Sequence, residues 1–442
     1  MTRAARDDGV CKVCYVGGSI TEQKAGYRPC LQRLLENILP KAVDTRSVDV
    51  HEIKASIGNV GSKVLNYLVD AWITDNDPDL VIIETAINDG DAIIEGEGDT
   101  EVANISRAVE GIVRQLRCGG GLVPHTGAPD IVIVHMHLCT NVAADHRTGT
   151  KAWADGNVTP EEAERAYQTC LADVYGRICE HYGVCYLNFR DALTRAPGEG
   201  HVKPTLLSCL YRDDCHFTTA GGAFAAAVLG NMILQSLTSP PVAAASAADV
   251  ARPDPIDPHF WCGGQAILVA RGIDGGGGSI GPAGRKAPMI TFATPTGRPR
   301  QHHFRMDRDP LSGLPLRWLL LGVGDAIEFQ FEGSSLALLT MSGPDSGMIH
   351  ARLQSVESDA GREDGEPELV ECQVQLFDQW SYYYRQSVCV IAESLPLKRW
   401  SARVWIDGED VDRSITRKPA PAEGVEGPRK LWVSYILVRG DS

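Results

Sequence analysis

Five apolar runs alternate with helix-period segments over roughly the first 240 residues, and this alternation limits the possible folds more than any other feature of the chain. The runs lie near Lys12–Val16, Val48–Ile53, Leu80–Glu84, Ile131–His135 and Val184–Leu187. Between them, Leu31, Leu34, Leu35 and Ile38 recur at helical spacing, as do Val64, Leu65, Leu68 and Trp72, and then Ile105, Val109, Ile112, Val113 and Leu116. Ser62 stands where it can cap the second of these helices. Thr159-Pro160-Glu161-Glu162 combines a capping box with proline at the first helical position, and Thr218 or Thr219 caps a last helix from Ala220 to about Leu237. Strand and helix in alternation imply a parallel sheet covered on both faces. The loops after the first three strands should then open on one edge, where open α/β sheets bind ligands.

The pattern changes after residue 238. Ser239-Pro240-Pro241 to Asp254-Pro255-Ile256-Asp257-Pro258 is rich in Pro, Ala and Asp without an apolar period, and reads as a linker or an ordered extended crossing. Beyond it the period is two, in short runs at Ala326–Glu332, Leu336–Thr340, Met348–Leu353, Val374–Phe377, Val388–Ile391, Ala402–Ile406 and Leu431–Val438. The expected organisation is an α/β domain over 1–238, a linker over 239–257 and an antiparallel β-sandwich over 258–442. The glycine run at Asp274–Ser279 lacks the Lys-Ser/Thr of a phosphate-binding loop.

A net charge of −15 and the lack of a long Lys/Arg block argue against nucleic acid or an anionic membrane as the main partner. No apolar run nears the ~18 residues of a membrane span. Residues 1–9 lack the apolar centre of a secretion signal. The 13 cysteines are odd in number and fall mostly within strand or helix patterns, among them Cys14, Cys139, Cys179, Cys185 and Cys389. They read as reduced thiols, which favours the cytoplasm; a removed leader would instead mean secretion. Cys11 and Cys14 form a Cys-x-x-Cys pair with no second pair at zinc spacing, so they read as strand.

The chemistry gathers at strand ends. Val13–Val16 stops at Gly17-Gly18-Ser19, which sets a hydroxyl at the rim of the sheet. A serine hydroxyl needs a neighbouring base, and the base needs a third group to hold its tautomer. Histidine is the side chain that titrates near neutral pH, and His216 has Asp213 three residues before it, with Asp214 as a possible substitute. Alone, Asp213-Asp214 reads as a cap before the last helix. Attack on a carbonyl also needs donors for the oxyanion. The Gly58-Asn59 turn offers a backbone N–H, and Asn88, after the third strand, offers an amide, although Asn88-Asp89-Gly90 is also ordinary turn composition. His135 and His137 share a strand face without a ligand-spaced partner, which suggests packing or cleft lining. His302-His303 reads as a solvated polar loop.

Gly17-Gly18-Ser19-Ile20-Thr21, the Gly58 loop, Ala86-Ile87-Asn88-Asp89 and Asp213-x-x-His216 together resemble the four ordered blocks of the SGNH (GDSL-type) hydrolase family, in its Gly-Gly-Ser-Ile-Thr subgroup. The resemblance spans about residues 10–238. It implies a flavodoxin-like three-layer α/β/α fold and serine hydrolysis of esters, with no metal or organic cofactor. By it, Ser19 is the nucleophile, His216 the base and Asp213 its orienting acid. The oxyanion hole is implied to be the Ser19 N–H, a backbone N–H from Gly58 or Asn59, and the Asn88 side chain. Three positions depart from the commonest motifs: Gly18 replaces Asp, Ala86 replaces Gly, and an ungapped alignment puts Asn59 at the glycine of the second block. Gly343–Met348 and the aromatic cluster Phe377–Arg385 are similar to jelly-roll domains that accompany some carbohydrate esterases; the cluster suits either packing or stacking on a sugar. The expected function is hydrolysis of short acyl esters, O-acetyl on carbohydrate. The rivals are a glycan O-acyltransferase with the same triad and an inactive glycan-binding protein. The sequence is silent on oligomeric state.

Overall fold

A computed structural model of the chain describes residues 9–42, 48–58, 60–95, 99–118, 128–136, 173–189, 209–213, 215–238, 254, 256, 264–268, 292–293, 300–308, 315–356, 368–377, 381, 384–408, 411–416 and 429–439. The chain divides into two compact units, one built on a parallel sheet and the other on antiparallel strands.

The parallel strands and the helices between and after them are β1 (Val10–Gly17), α1 (Ser19–Glu22), α2 (Tyr27–Ala42), β2 (Asp49–Ser56), α3 (Ser62–Trp72), β3 (Leu80–Glu84), α4 (Ala86–Glu95), α5 (Asp99–Cys118), β4 (Asp130–His135), α6 (Gly176–Tyr182), β5 (Cys185–Asn188) and α7 (Thr219–Thr238). The five strands are parallel in the order β2-β1-β3-β4-β5, the flavodoxin-like order. Right-handed crossovers place α2 on one face; the reversal of direction after β2 then sends α3, α5 and α6 to the other. Contacts agree. The α7 glycines Gly222 and Gly230 let that helix close on Gly26 and on Leu34 of α2, where a Cβ would come within 2.7 and 2.3 Å. On the other face, Asn66 of α3 donates to the Ala108 carbonyl of α5 (3.1 Å), and Arg114 of α5 donates to the Tyr182 hydroxyl of α6 (2.7 Å).

The central strand β3 is buried at every position, as a strand covered on both faces requires, whereas the edge strand β2 exposes Asp49, His51, Glu52 and Lys54. Most expected strands run one to three residues longer than their apolar runs, because the ladder continues into polar positions. Gly17, Ser56 and Glu84 lie in register, so the three loops that follow leave the sheet side by side. Part of the Pro/Ala-rich stretch is fastened to this unit: Ile256 N–H donates to Glu110 Oε1 (2.7 Å), and His181 Nε2 donates to the Asp254 carbonyl (2.8 Å). Among the described residues no helix is long and apolar enough to cross a membrane.

Two local expectations change. Asn88-Asp89-Gly90 forms no turn; it lies in the first turns of α4. The N–H of Ser62 is capped by the Asp89 carboxylate (2.7 Å), while Thr218 Oγ1 accepts from Gly221 N–H (3.0 Å) at the start of α7 as the sequence suggests. Thr159–Glu162, Cys139 and His137 lie outside the described residues.

The second unit holds β6 (Gly264–Leu268), β7 (Phe292–Ala293), β8 (Arg300–Arg308), β9 (Pro315–Gly322), β10 (Ala326–Gly333), β11 (Ser335–Ser342), β12 (Met348–Ser355), β13 (Leu369–Gln375), β14 (Arg385–Ala392), β15 (Lys398–Ile406) and β16 (Lys430–Arg439). One sheet runs β13-β12-β15-β10-β7 and the other β14-β11-β16-β9-β8, with β6 also on β16. Their inner faces share one core: Phe329, Phe331, Ile349, Trp400 and Val404 from the first, Leu336, Leu338, Val433 and Ile436 from the second. His302 and His303 are in β8, paired with β9, so the polar-loop reading is corrected: the ladder with β9 decides their conformation. Of the Phe377–Arg385 cluster, Phe377 is buried under the Arg413 guanidinium (5.0 Å from its ring centre); Trp380, Tyr382 and Tyr383 lie outside the described residues.

Candidate active site

The turn that leads into Ser19 is shaped by what glycine lacks. Gly17 has φ of +154°, and a Cβ there would lie 2.1 Å from the Glu84 carbonyl and 2.6 Å from Thr21 Oγ1. A Cβ on Gly18 would lie 2.0 Å from Asn88 Nδ2, so the amide fills the room that a side chain at 18 would need. The chain can therefore leave β1 pressed against the end of β3 and present Ser19 at the start of α1. Beneath it, Thr21 and Tyr27 hydroxyls meet at 3.0 Å, and Arg28 Nε donates to the Thr21 carbonyl (2.8 Å).

The candidate base, His216, arrives from the segment before α7. An isolated bridge between Tyr211 and Phe217 closes the loop that carries Asp213, Cys215 and His216. Gln23 Nε2 donates to the Phe217 carbonyl (2.6 Å) and so ties this loop to the residue just after α1. His216 Nε2 stands 2.9 Å from Ser19 Oγ. On the other side of the ring, Nδ1 stands 2.9 and 3.0 Å from the two Asp213 oxygens. Asp213 also accepts from the backbone N–H groups of Cys215 (3.1 Å) and His216 (2.7 Å). Burial alone would raise the Asp213 carboxyl, but the His216 ring and these N–H groups outweigh it and hold the group well below the usual carboxylate range. An ionised Asp213 only accepts, so Nδ1 carries the proton and Nε2 is left to accept from the serine hydroxyl.

Two of the expected oxyanion donors lie beside this pair. Gly58 is next to Ser19: a Cβ on it would be 4.0 Å from Ser19 Cβ and 3.4 Å from Glu22 Oε2. Asn88 Nδ2 donates one N–H to the Val60 carbonyl (3.0 Å), and an amide has a second to give. Asn59 and Asp214 lie outside the described residues. His135 is buried at the end of β4, with 1% of its surface exposed.

Three further titratable groups, Asp89, Glu84 and Cys215, flank the site. Asp89, fully buried, caps α3 and accepts from the Tyr175 hydroxyl; burial, partly offset by those bonds, pushes its carboxyl up to about 6. Glu84 has no exposed surface, and burial pushes it up to about 8, partly offset by the Ile87 N–H. Cys215 Sγ lies 3.4 Å from His216 Nδ1. The signal for Glu84 was present in the sequence: a lone acid ending the run Leu80-Val81-Ile82-Ile83.

No curated protein matches this sequence. Residues 15–223 match the model of the GDSL-like lipase/acylhydrolase family. Among solved structures, the chain is similar to a two-domain esterase active on acetylated mannans, with 15% identity, a TM-score of 0.60 and coverage of 100% of this chain and 95% of that one. The same description, co-crystallised with mannopentaose, gives 14% identity, a TM-score of 0.57 and the same coverage. At such identity the likeness is one of fold. The family match and the ordered strand ends of the parallel sheet together mean that residues 15–223 belong to the GDSL-like lipase/acylhydrolase family, and the chain is a carboxylic ester hydrolase.

Proposed function

We propose that the chain is a serine esterase that removes short acyl groups, O-acetyl in particular, from carbohydrate. The observation that carries this reading is the unbroken line from Ser19 Oγ to His216 Nε2 (2.9 Å) and from Nδ1 to Asp213 (2.9 Å). Ser19 Oγ attacks the ester carbonyl while Nε2 takes its proton. Asp213 stabilises the resulting imidazolium, and the N–H groups of Ser19 and Gly58 with the Asn88 amide receive the oxyanion. The imidazolium then protonates the departing sugar hydroxyl, which leaves an acyl group on Ser19. Water enters, gives a proton to His216 as its oxygen adds to the acyl carbon, and the imidazolium returns that proton to Ser19 Oγ as the acid leaves. Carbohydrate as the leaving group is supported by the fold shared, over both units, with an esterase active on acetylated mannans.

Acid release from p-nitrophenyl esters of increasing chain length and from acetylated polysaccharides tests the reading. Acetate should be released from both substrate types, with rates that fall as the acyl chain lengthens; a protein that cleaves none of them overturns it. Asn88→Ala should raise the barrier by about 2.7–4 kcal/mol, read as kcat, and an unchanged kcat removes Asn88 from the hole.

A further inference from the structure

Asp213, Cys215 and His216 do something together that the hydrolytic mechanism does not use. One carboxylate oxygen, Sγ and one ring nitrogen all lie within 4.8 Å of one another, and no second such group of three occurs among the described residues. The Sγ–Nδ1 distance is 3.4 Å, and Nδ1 is 2.9 and 3.0 Å from the two carboxylate oxygens. Tetrahedral zinc, with bonds of about 2.3 Å to sulfur and about 2.0–2.1 Å to nitrogen and oxygen, separates S from N by about 3.5 Å and N from O by about 3.3 Å. Both separations from Nδ1 are thus within a few tenths of an ångström of those a ligand set requires, and the sulfur and the carboxylate oxygen lie within 4.8 Å of each other. All three residues are partly exposed, so an ion can reach them. Cys11, Cys14, Cys179 and Cys389, in contrast, are buried.

We infer that Asp213, Cys215 and His216 form a three-ligand site for a soft divalent cation, zinc above all, and that filling it switches the esterase off. The inference rests on the reading of His216 as the base. On binding, the Cys215 thiol gives its proton to solvent, and Asp213 exchanges its hydrogen bond from the ring for a bond to the metal. Nδ1 becomes a ligand by giving up the proton it carries, so the neutral ring takes a proton on Nε2 instead. That nitrogen can then only donate to Ser19 Oγ, and the nucleophile has no base. Water completes the fourth position, as in open zinc sites. The donor set of one thiolate, one imidazole and one carboxylate suits zinc and cadmium over magnesium or calcium.

The test uses the full-length protein and its Cys215→Ala and Cys215→Ser variants. Cadmium titration reads the thiolate-to-metal charge-transfer absorption, independently of turnover; zinc titration reads ester hydrolysis, each protein referred to its own metal-free rate. Wild type should gain an absorption component at one equivalent of cadmium that both variants lack. Zinc should inhibit wild type, chelation should restore the rate, and both variants should need at least about tenfold more zinc, the loss that even an outer-shell partner causes. Cadmium absorption that does not depend on Cys215, or zinc inhibition curves that coincide with wild type, overturns the inference. A Cys215-dependent absorption in a protein that cleaves no ester upholds the metal site and overturns the esterase reading instead.

Discussion

Two carboxyl groups on the two sides of the candidate site are held in opposite ways. Glu84 ends β3 beneath the nucleophile turn, has no exposed surface, and is pushed up to about 8 by burial. Asp213 sits in the loop that brings the base, is partly exposed, and is held below the usual range by three N–H donors despite its own burial. Ser19 is thus held over a packed floor, and His216 by a small, charged, hydrogen-bonded loop. Environments that drive two acids apart are a common way to give them separate tasks.

The largest expected effect lies where the two sides meet. Ser19→Ala should lower kcat about 10⁶-fold with an unchanged melting temperature, since it removes one oxygen and no packing. Retained turnover would remove Ser19 from the mechanism. Asp213→Asn should cost about 10⁴ in kcat, because an amide can hold the wrong tautomer of the ring, and should also lower stability at neutral pH, where the carboxylate that the N–H donors favour is lost. An unchanged stability would mean that those donors do not favour the ionised group in the fold.

On the floor the balance should invert. Gly17→Ala places a methyl 2.1 Å from the Glu84 carbonyl, so unfolding measurements should record a loss of about 4 kcal/mol or more. A mild loss would mean that the floor gives way more easily than the packing suggests. The smallest effect is a slope. A carboxyl whose folded value lies above its unfolded one adds stability that is complete below the unfolded value, near 4.5, and lost as pH rises through about 8. Glu84→Gln should abolish that loss and make the variant more stable than wild type by roughly 3 kcal/mol at pH 7. Parallel pH–stability curves for the two proteins would show Glu84 to be ionised in the fold.

The sequence made the sheet legible because fully buried strands leave continuous apolar runs, as in Leu80–Glu84. The Ser19 and His216 segments were legible because each is a short local constellation at a strand or helix boundary. The Asn88 segment was harder. Its composition favours a turn, but Asp89 is used up in capping α3 and bonding Tyr175, partners 27 and 86 positions away, and that context carries the segment into α4. The histidine pair at 302–303 misled for a related reason: polar residues on a strand look like a loop until the partner strand is known. Cys215 adjoins His216 in the sequence, but neighbouring side chains usually diverge; the tight loop is what leaves its sulfur 3.4 Å from the imidazole.

The pairing of β6 with β16 sets Gly264 opposite Arg439. The second unit's first strand therefore begins beside the point where its last strand stops. A unit closed in this way can be re-threaded. Joining the two positions with a short bridge and opening the chain at Gly324, a turn residue at φ +91° with no neighbour where a Cβ would stand, gives a circular permutant that keeps every strand of both sheets. The same adjacency would let the sandwich be spliced, as a cassette on two closely spaced stalks, into a surface loop of an unrelated host.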